Sequence, residues 1–241
     1  MDKSSDPINK YRQRYSLAHL SALPLPPHEL IDLAIATGYD HVGVRLLPPA
    51  PGIAFYPIMD DASQLKEVMA RLADHPNVVW DVEVIRLTPN FKVDALEPAI
   101  ACAQKIGARA VLVSAGPVED PMELAQYFSD FCELAANWGL TANVEFMPWT
   151  PVPDLSAALA LIKNAGSPAN ARVLADTIHV ERSRTTLRDW AAVPETLIDY
   201  VQFCDAPAGV PENMDEILRQ ARYERLLPGE GGIDLLGFLR H

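Results

Sequence analysis

Apolar residues recur along this chain in two alternating rhythms. Residues 29–37 carry Leu30, Leu33 and Ala34 at helical spacing, stop at Gly38, and are followed by a short β-branched run over 41–46. The same unit returns at 95–106, closed by Gly107 and followed by 110–114, and at 123–138, closed by Gly139 and followed by 140–145. Glycine suits the left-handed cap after a helix, so each is a physical stop signal. Further runs predict strands at 15–22, 78–87, 172–176 and 200–204, and helices at 62–74, 154–164, 187–192, 212–222 and 234–239. Helix and strand alternating at this spacing implies parallel strands joined by right-handed crossovers.

No polar linker divides the 241 residues, so the pattern predicts one domain over 1–241 with a polar segment at 1–14. The loops after the strands hold much of the proline, as in Leu47-Pro-Pro-Ala-Pro51, Thr88-Pro89, Met147-Pro148 and Ala206-Pro207. An open doubly wound sheet usually carries a glycine-rich nucleotide motif. Neither GxGxxG nor GxxxxGK[ST] occurs, and no strand immediately precedes Gly229-Glu-Gly-Gly232. The expected fold is therefore an α/β protein of the (β/α)8 TIM-barrel type, which places its sites in the loops at the carboxyl ends of the strands.

Charge narrows the partners. The formal net charge of −12 opposes binding to a polyphosphate backbone or an anionic membrane, so neither nucleic acid nor membrane is expected. No apolar run approaches the roughly 18–20 residues of a membrane span, and the polar start lacks the apolar centre of a secretory signal, which predicts a cytoplasmic protein. Cys102, Cys132 and Cys204 are far apart and free of CxxC spacing, which predicts buried thiols rather than disulfides or a zinc finger.

Candidate chemistry lies where strands end. Glu145 closes Ala142-Asn-Val-Glu145, Asp176 closes Val173-Leu-Ala-Asp176 with His179 three residues on, and Gln202 lies in Tyr200-Val-Gln-Phe-Cys-Asp205. Two carboxylates and an amide oxygen on successive strands can converge on one ion, and oxygen donors favour Mn²⁺ or Mg²⁺, with Co²⁺ and Zn²⁺ as alternatives. The other reading of the two acids is a helix cap or a rim ion pair. Arg45, Arg86 and Arg182 offer donors to a carboxylate or to sugar oxygens, or pair with rim carboxylates. His19 ends the first strand in a suitable place for substrate contact, and Trp149 can line the pocket or simply pack. Glu83 shares a strand face with Asp81, and two acids on an interior face are unusual unless paired or functional.

Four segments, residues 29–43, Val144-Glu-Phe-Met-Pro148, Leu174-Ala-Asp-Thr-Ile-His179 and Val201-Gln-Phe-Cys-Asp-Ala-Pro207, resemble the sugar phosphate isomerase/epimerase family. This is the xylose-isomerase-like TIM-barrel superfamily, which includes inosose dehydratase and 3-dehydroshikimate dehydratase. The resemblance implies a divalent-metal-dependent isomerase or epimerase of a small sugar or polyhydroxy carbonyl compound, working by α-proton abstraction through a metal-stabilised enediolate. A dehydratase of the 3-dehydroshikimate or inosose type, or a catalytically incomplete barrel, is the alternative; homo-oligomers stay open. It gives Glu145 and Asp176 as metal ligands, Glu145 or His179 as the group that moves the proton, and Gln202 where many epimerases have histidine, as in the dehydroshikimate branch. The related three-zinc nuclease branch fits poorly with six histidines and the acidic balance. The resemblance also implies an eighth strand bearing a fourth ligand, and residues 227–239 read as the loop and helix before it, so that strand is expected to be missing. A clipped chain, a strand from another chain and a natural seven-stranded barrel are the three explanations. Glu230 lies in the loop and is not a substitute.

Overall fold

Every strand of the chain is apolar on one face, and the structure, a computed structural model describing residues 13–50 and 52–240, curls those faces outward under a layer of helices. Seven parallel strands follow one another in sheet order β1-β2-β3-β4-β5-β6-β7. They are β1 Ser16–Leu17, β2 His41–Arg45, β3 Val79–Leu87, β4 Ala110–Ala115, β5 Thr141–Glu145, β6 Ala171–Asp176 and β7 Val201–Gln202. No eighth strand occurs among the described residues, and β1 and β7 each pair on one side only. Those two edges are also the shortest strands. The runs expected at 15–22 and 200–204 reduce to two residues each, because a strand with one partner has half the ladder to hold it. After β1 the chain turns into a 3-10 helix, His19–Ala22. Residues 1–12 of the polar amino-terminal segment, Pro51 and His241 lie outside the described residues.

The helices are α1 Pro27–Thr37, α2 Ala62–Asp74, α3 Glu97–Lys105, α4 Pro121–Asn137, α5 Leu155–Asn164, α6 Thr177–Arg182, α7 Leu187–Ala191, α8 Met214–Tyr223 and α9 Leu235–Leu239. Aspartates open several of them: Asp61, Asp120, Asp154 and Asp176 each accept a backbone N–H from the first turn that would otherwise lack a partner. Gly38 closes α1 at φ 83°, the conformation expected from the sequence. No helix among the described residues is long and apolar enough to cross a membrane.

The main core lies between sheet and helices. Val42, Val44, Val111, Val113, Ala142, Val144, Val173 and Ala175 point out from the strands against Leu30, Ile31, Ile100, Phe128 and Phe131. The alternate strand residues face the barrel interior, where Val84, Leu112, Leu174 and Tyr200 form only a small apolar cluster. The remaining interior positions are polar: Arg45, Asp81, Glu83, Asn143, Glu145 and Asp176 are all buried. Barrel interiors are ordinarily filled by branched aliphatic side chains, so this polarity makes the inside of the sheet the candidate functional surface.

Candidate metal centre at the mouth of the barrel

Glu145 is the last residue of β5 and Asp176 the last of β6, so both carboxylates leave the sheet at its carboxyl end. Asp176 does two jobs there. It ends the strand and caps α6, accepting the Ile178 N–H on Oδ1 at 3.1 Å. That cap starts a helix immediately after the strand and swings His179 back over the barrel mouth. Donor atoms of Glu145, Asp176 and His179 all lie within 4.8 Å of one another, and all three side chains are buried. His179 Nε2 is 3.5 Å from Glu145 Oε1 and 3.9 Å from Asp176 Oδ2. The register sets Gln202 of β7 beside Asp176.

Electrostatics divide the three groups. Burial, reinforced by the Asp176 charge, pushes the Glu145 carboxyl up to about 8. Burial also acts against ionised Asp176, but the Arg225 guanidinium, helped by the Ile178 N–H, outweighs it and holds that carboxyl below its ordinary value. Burial brings the His179 imidazole down to about 4, so the ring is neutral near pH 7. Among the described residues His179 Nδ1 is buried with no hydrogen-bond partner, and Glu145 Oε1 has the His179 ring at 3.5 Å, too long for a strong hydrogen bond. A buried carboxylate without donors is costly unless it is protonated or meets a cation. Glu145, Asp176 and Gln202 therefore suit a divalent ion by donor type, with His179 near enough to join them.

Around this centre the structure assigns the other polar residues to distinct tasks. Arg45 is buried and donates from Nη2 and Nε to Glu83 Oε2 at 2.8 and 3.2 Å, the pairing that an acid on an interior face requires. Asp81 sits deeper; burial first, then the Glu83 charge, drives its carboxyl well above the usual range. Gly43 makes room for it, since a β-carbon there would lie 2.9 Å from Asp81 Oδ1. The Tyr200 hydroxyl faces the same acid without reaching ordinary hydrogen-bond geometry. Arg86 is exposed, has no hydrogen-bond or ion-pair partner among the described residues, and lies in register with Ser114, which in turn is in register with Glu145.

Two of the residues expected to meet substrate are engaged in holding the fold. His19 is fully buried; Nδ1 accepts the Arg45 backbone N–H at 2.9 Å, Nε2 faces the Leu25 carbonyl at 3.0 Å, and the ring stacks on Tyr56. Arg182 donates to the Gly209 and Pro207 carbonyls and to Gln220 Oε1, each at 2.8 Å, and so ties the loop after β7 to α8. Trp149 meets His179 edge-on at 5.1 Å. Glu230 is exposed in its loop.

Sequence reasoning missed Arg225. It lies in coil after α8, where no periodicity marks it, yet Nη1 is 2.6 Å from Asp176 Oδ2 and 3.1 Å from Cys204 Sγ. Its place is fixed by the neighbouring residue, since Leu226 forms an antiparallel bridge with Asp205 just after β7. Asp205 also accepts the backbone N–H groups of Gly229, Gly231 and Ile233, so one carboxylate shapes the whole glycine-rich turn.

Residues 31–241 match the model of the xylose isomerase-like TIM barrel family. The chain belongs to that family. Over 141 residues, 56% of this chain, it is 33% identical to a 3-dehydroshikimate dehydratase of Pseudomonas aeruginosa, of which the match spans 22%. Among solved structures, a xylose isomerase-like TIM barrel/4-hydroxyphenylpyruvate dioxygenase fusion protein superposes with a TM-score of 0.75 at 21% identity, covering 94% of this chain and 36% of the other. The IOLI protein with a bound zinc atom gives 0.74 at 15% identity, covering 95% of this chain and 84% of that one. The chain thus spans well under two thirds of the dehydratase and of the fusion protein. The xylose isomerase-like barrel extends across almost all that is described here.

Proposed function

We propose that this xylose isomerase-like barrel carries out metal-dependent abstraction of a proton from the carbon beside a carbonyl, followed by loss of a β-hydroxyl, on a small polyhydroxy carbonyl acid of the 3-dehydroshikimate kind. The observation that carries the reading is the buried Glu145, Asp176 and His179 cluster at the carboxyl ends of β5 and β6. The dehydratase relative orders the reactions, moving dehydration ahead of the isomerisation or epimerisation that the sequence first implied. A divalent ion held by Glu145, Asp176 and Gln202 would supply Lewis acidity to the substrate carbonyl oxygen.

The remaining chemistry belongs to the chain. Neutral His179 turns Nε2 toward Glu145 and Asp176, and in this reading accepts the α-proton there and returns it to the leaving β-hydroxyl, which departs as water. Trp149 keeps that ring in place and water away from one edge. The free guanidinium of Arg86, two register steps from Glu145, offers a fork of donors to a substrate carboxylate.

Incubation with Mn²⁺ in D₂O, using 3-dehydroshikimate, inososes and ketohexoses, tests the reading. A product lighter by one water supports it, and deuterium at the α-carbon without water loss transfers support to isomerisation or epimerisation. Mn²⁺ should raise the melting temperature of the wild type but not of Glu145→Ala or Asp176→Ala. Neither water loss nor exchange with any substrate, and no such stabilisation, with Co²⁺ and Zn²⁺ also tried, would overturn it.

A further inference from the structure

The two oxygens of Asp176 have different neighbours. Oδ1 is held from the protein side by the Ile178 N–H and the Cys204 thiol. Oδ2 faces His179 Nε2 and is therefore the oxygen presented to the centre. That oxygen is the one Arg225 takes, at 2.6 Å. Arg225 is also held lightly: its Nε donates to the Ala221 carbonyl, its Nη1 touches Cys204, and about a fifth of the side chain is exposed. A guanidinium on coil, partly exposed and with two hydrogen-bond partners besides the carboxylate among the described residues, can leave without unpacking a helix.

We infer that Arg225 is an exchangeable cation which fills the centre when no metal is bound and yields Asp176 Oδ2 to the metal when one arrives. Without it Asp176 would be a buried, unpaired carboxylate, the kind of group that strongly destabilises a fold. With metal bound, an arginine kept in place would add a third positive charge against two carboxylates, so the two cations compete. Arg225 thereby sets the metal affinity and keeps the metal-free protein folded. This inference rests on the metal reading above.

The test is Mn²⁺ titration of the chelator-stripped full chain by calorimetry, with melting temperatures measured metal-free and at saturation. Arg225→Met should bind Mn²⁺ at least tenfold more tightly than wild type, melt lower when metal-free, and regain the wild-type melting temperature at saturation. Arg225→Lys, which retains the charge, should stay within about threefold of wild type. If Arg225→Met does not fold, Arg225→Gln is held to the same criterion, since its amide can still donate to Asp176. Equal or weaker Mn²⁺ binding by the neutral variant, or a melting deficit that persists at saturation, overturns the inference and leaves Arg225 a packing residue. A wild type that binds no Mn²⁺ sensitive to Glu145→Ala would instead overturn the metal reading itself.

Discussion

His19 shows how one residue can look like a ligand group and serve as a bracket. Because Nδ1 accepts an N–H from Arg45, the proton sits on Nε2, which donates to the Leu25 carbonyl; the ring works only in this neutral tautomer. Burial is the main cause of its lowered pKa. The sign of the linkage follows. Below the ordinary value of 6.5 the unfolded chain takes up a proton that folded His19 refuses, so stability is full above that value and declines as pH falls towards the folded value. Urea unfolding at pH 7.5 and pH 5 should show wild type losing more stability than His19→Gln, by up to about 1.4 kcal/mol per pH unit within the window. Equal losses would remove His19 from the account. At pH 7.5 the variant should be weaker by about 1–2 kcal/mol, for two buried hydrogen bonds.

At the scale of elements, legibility follows from how far away the cause lies. The helix expected at 62–74 is α2, Ala62–Asp74, because its amphipathic face and the Asp61 cap are both local. Helix α6 is invisible in the pattern: it is six residues long and buried at Thr177, Ile178, His179, Val180 and Arg182, so it has no polar face to set a period. The strand-end acids could be read because a strand end is a local feature. Arg225 could not, since its partner Asp176 is 49 residues away, and the carbonyl partners of Arg182 and His19 leave no trace in residue type. The turn that positions Arg225 gives a direct prediction. Asp205→Ala removes the acceptor for the backbone N–H groups of Gly229, Gly231 and Ile233, and should cost about 2–3 kcal/mol. Hydrogen exchange should quicken at those three amides while Leu112 and Val144 amides in the sheet keep their protection; uniform protection would show that the turn holds itself.

For the molecule as a whole, the main apolar core and the candidate site occupy opposite faces of one sheet. The outer face buries the aromatic and aliphatic core around Phe128 and Phe131, and the inner face spends its positions on charged and amide groups. Phe131→Ala should therefore destabilise by about 3–5 kcal/mol in urea titration, while Mn²⁺ affinity of the folded fraction stays at the wild-type value. A large loss of metal affinity in the folded fraction would show that the two faces are not independent. The fit of Gly43 against Asp81 has a consequence for descent. A lineage that gains a side chain at Gly43 while keeping the aspartate drives a β-carbon into a carboxylate, and one that loses the aspartate first opens a hole beside Glu83. A side chain at Gly43 thus requires Asp81 to shift or be replaced, so the two positions are expected to change together, and the pair can serve as a marker for tracing which relatives inherited this polar interior.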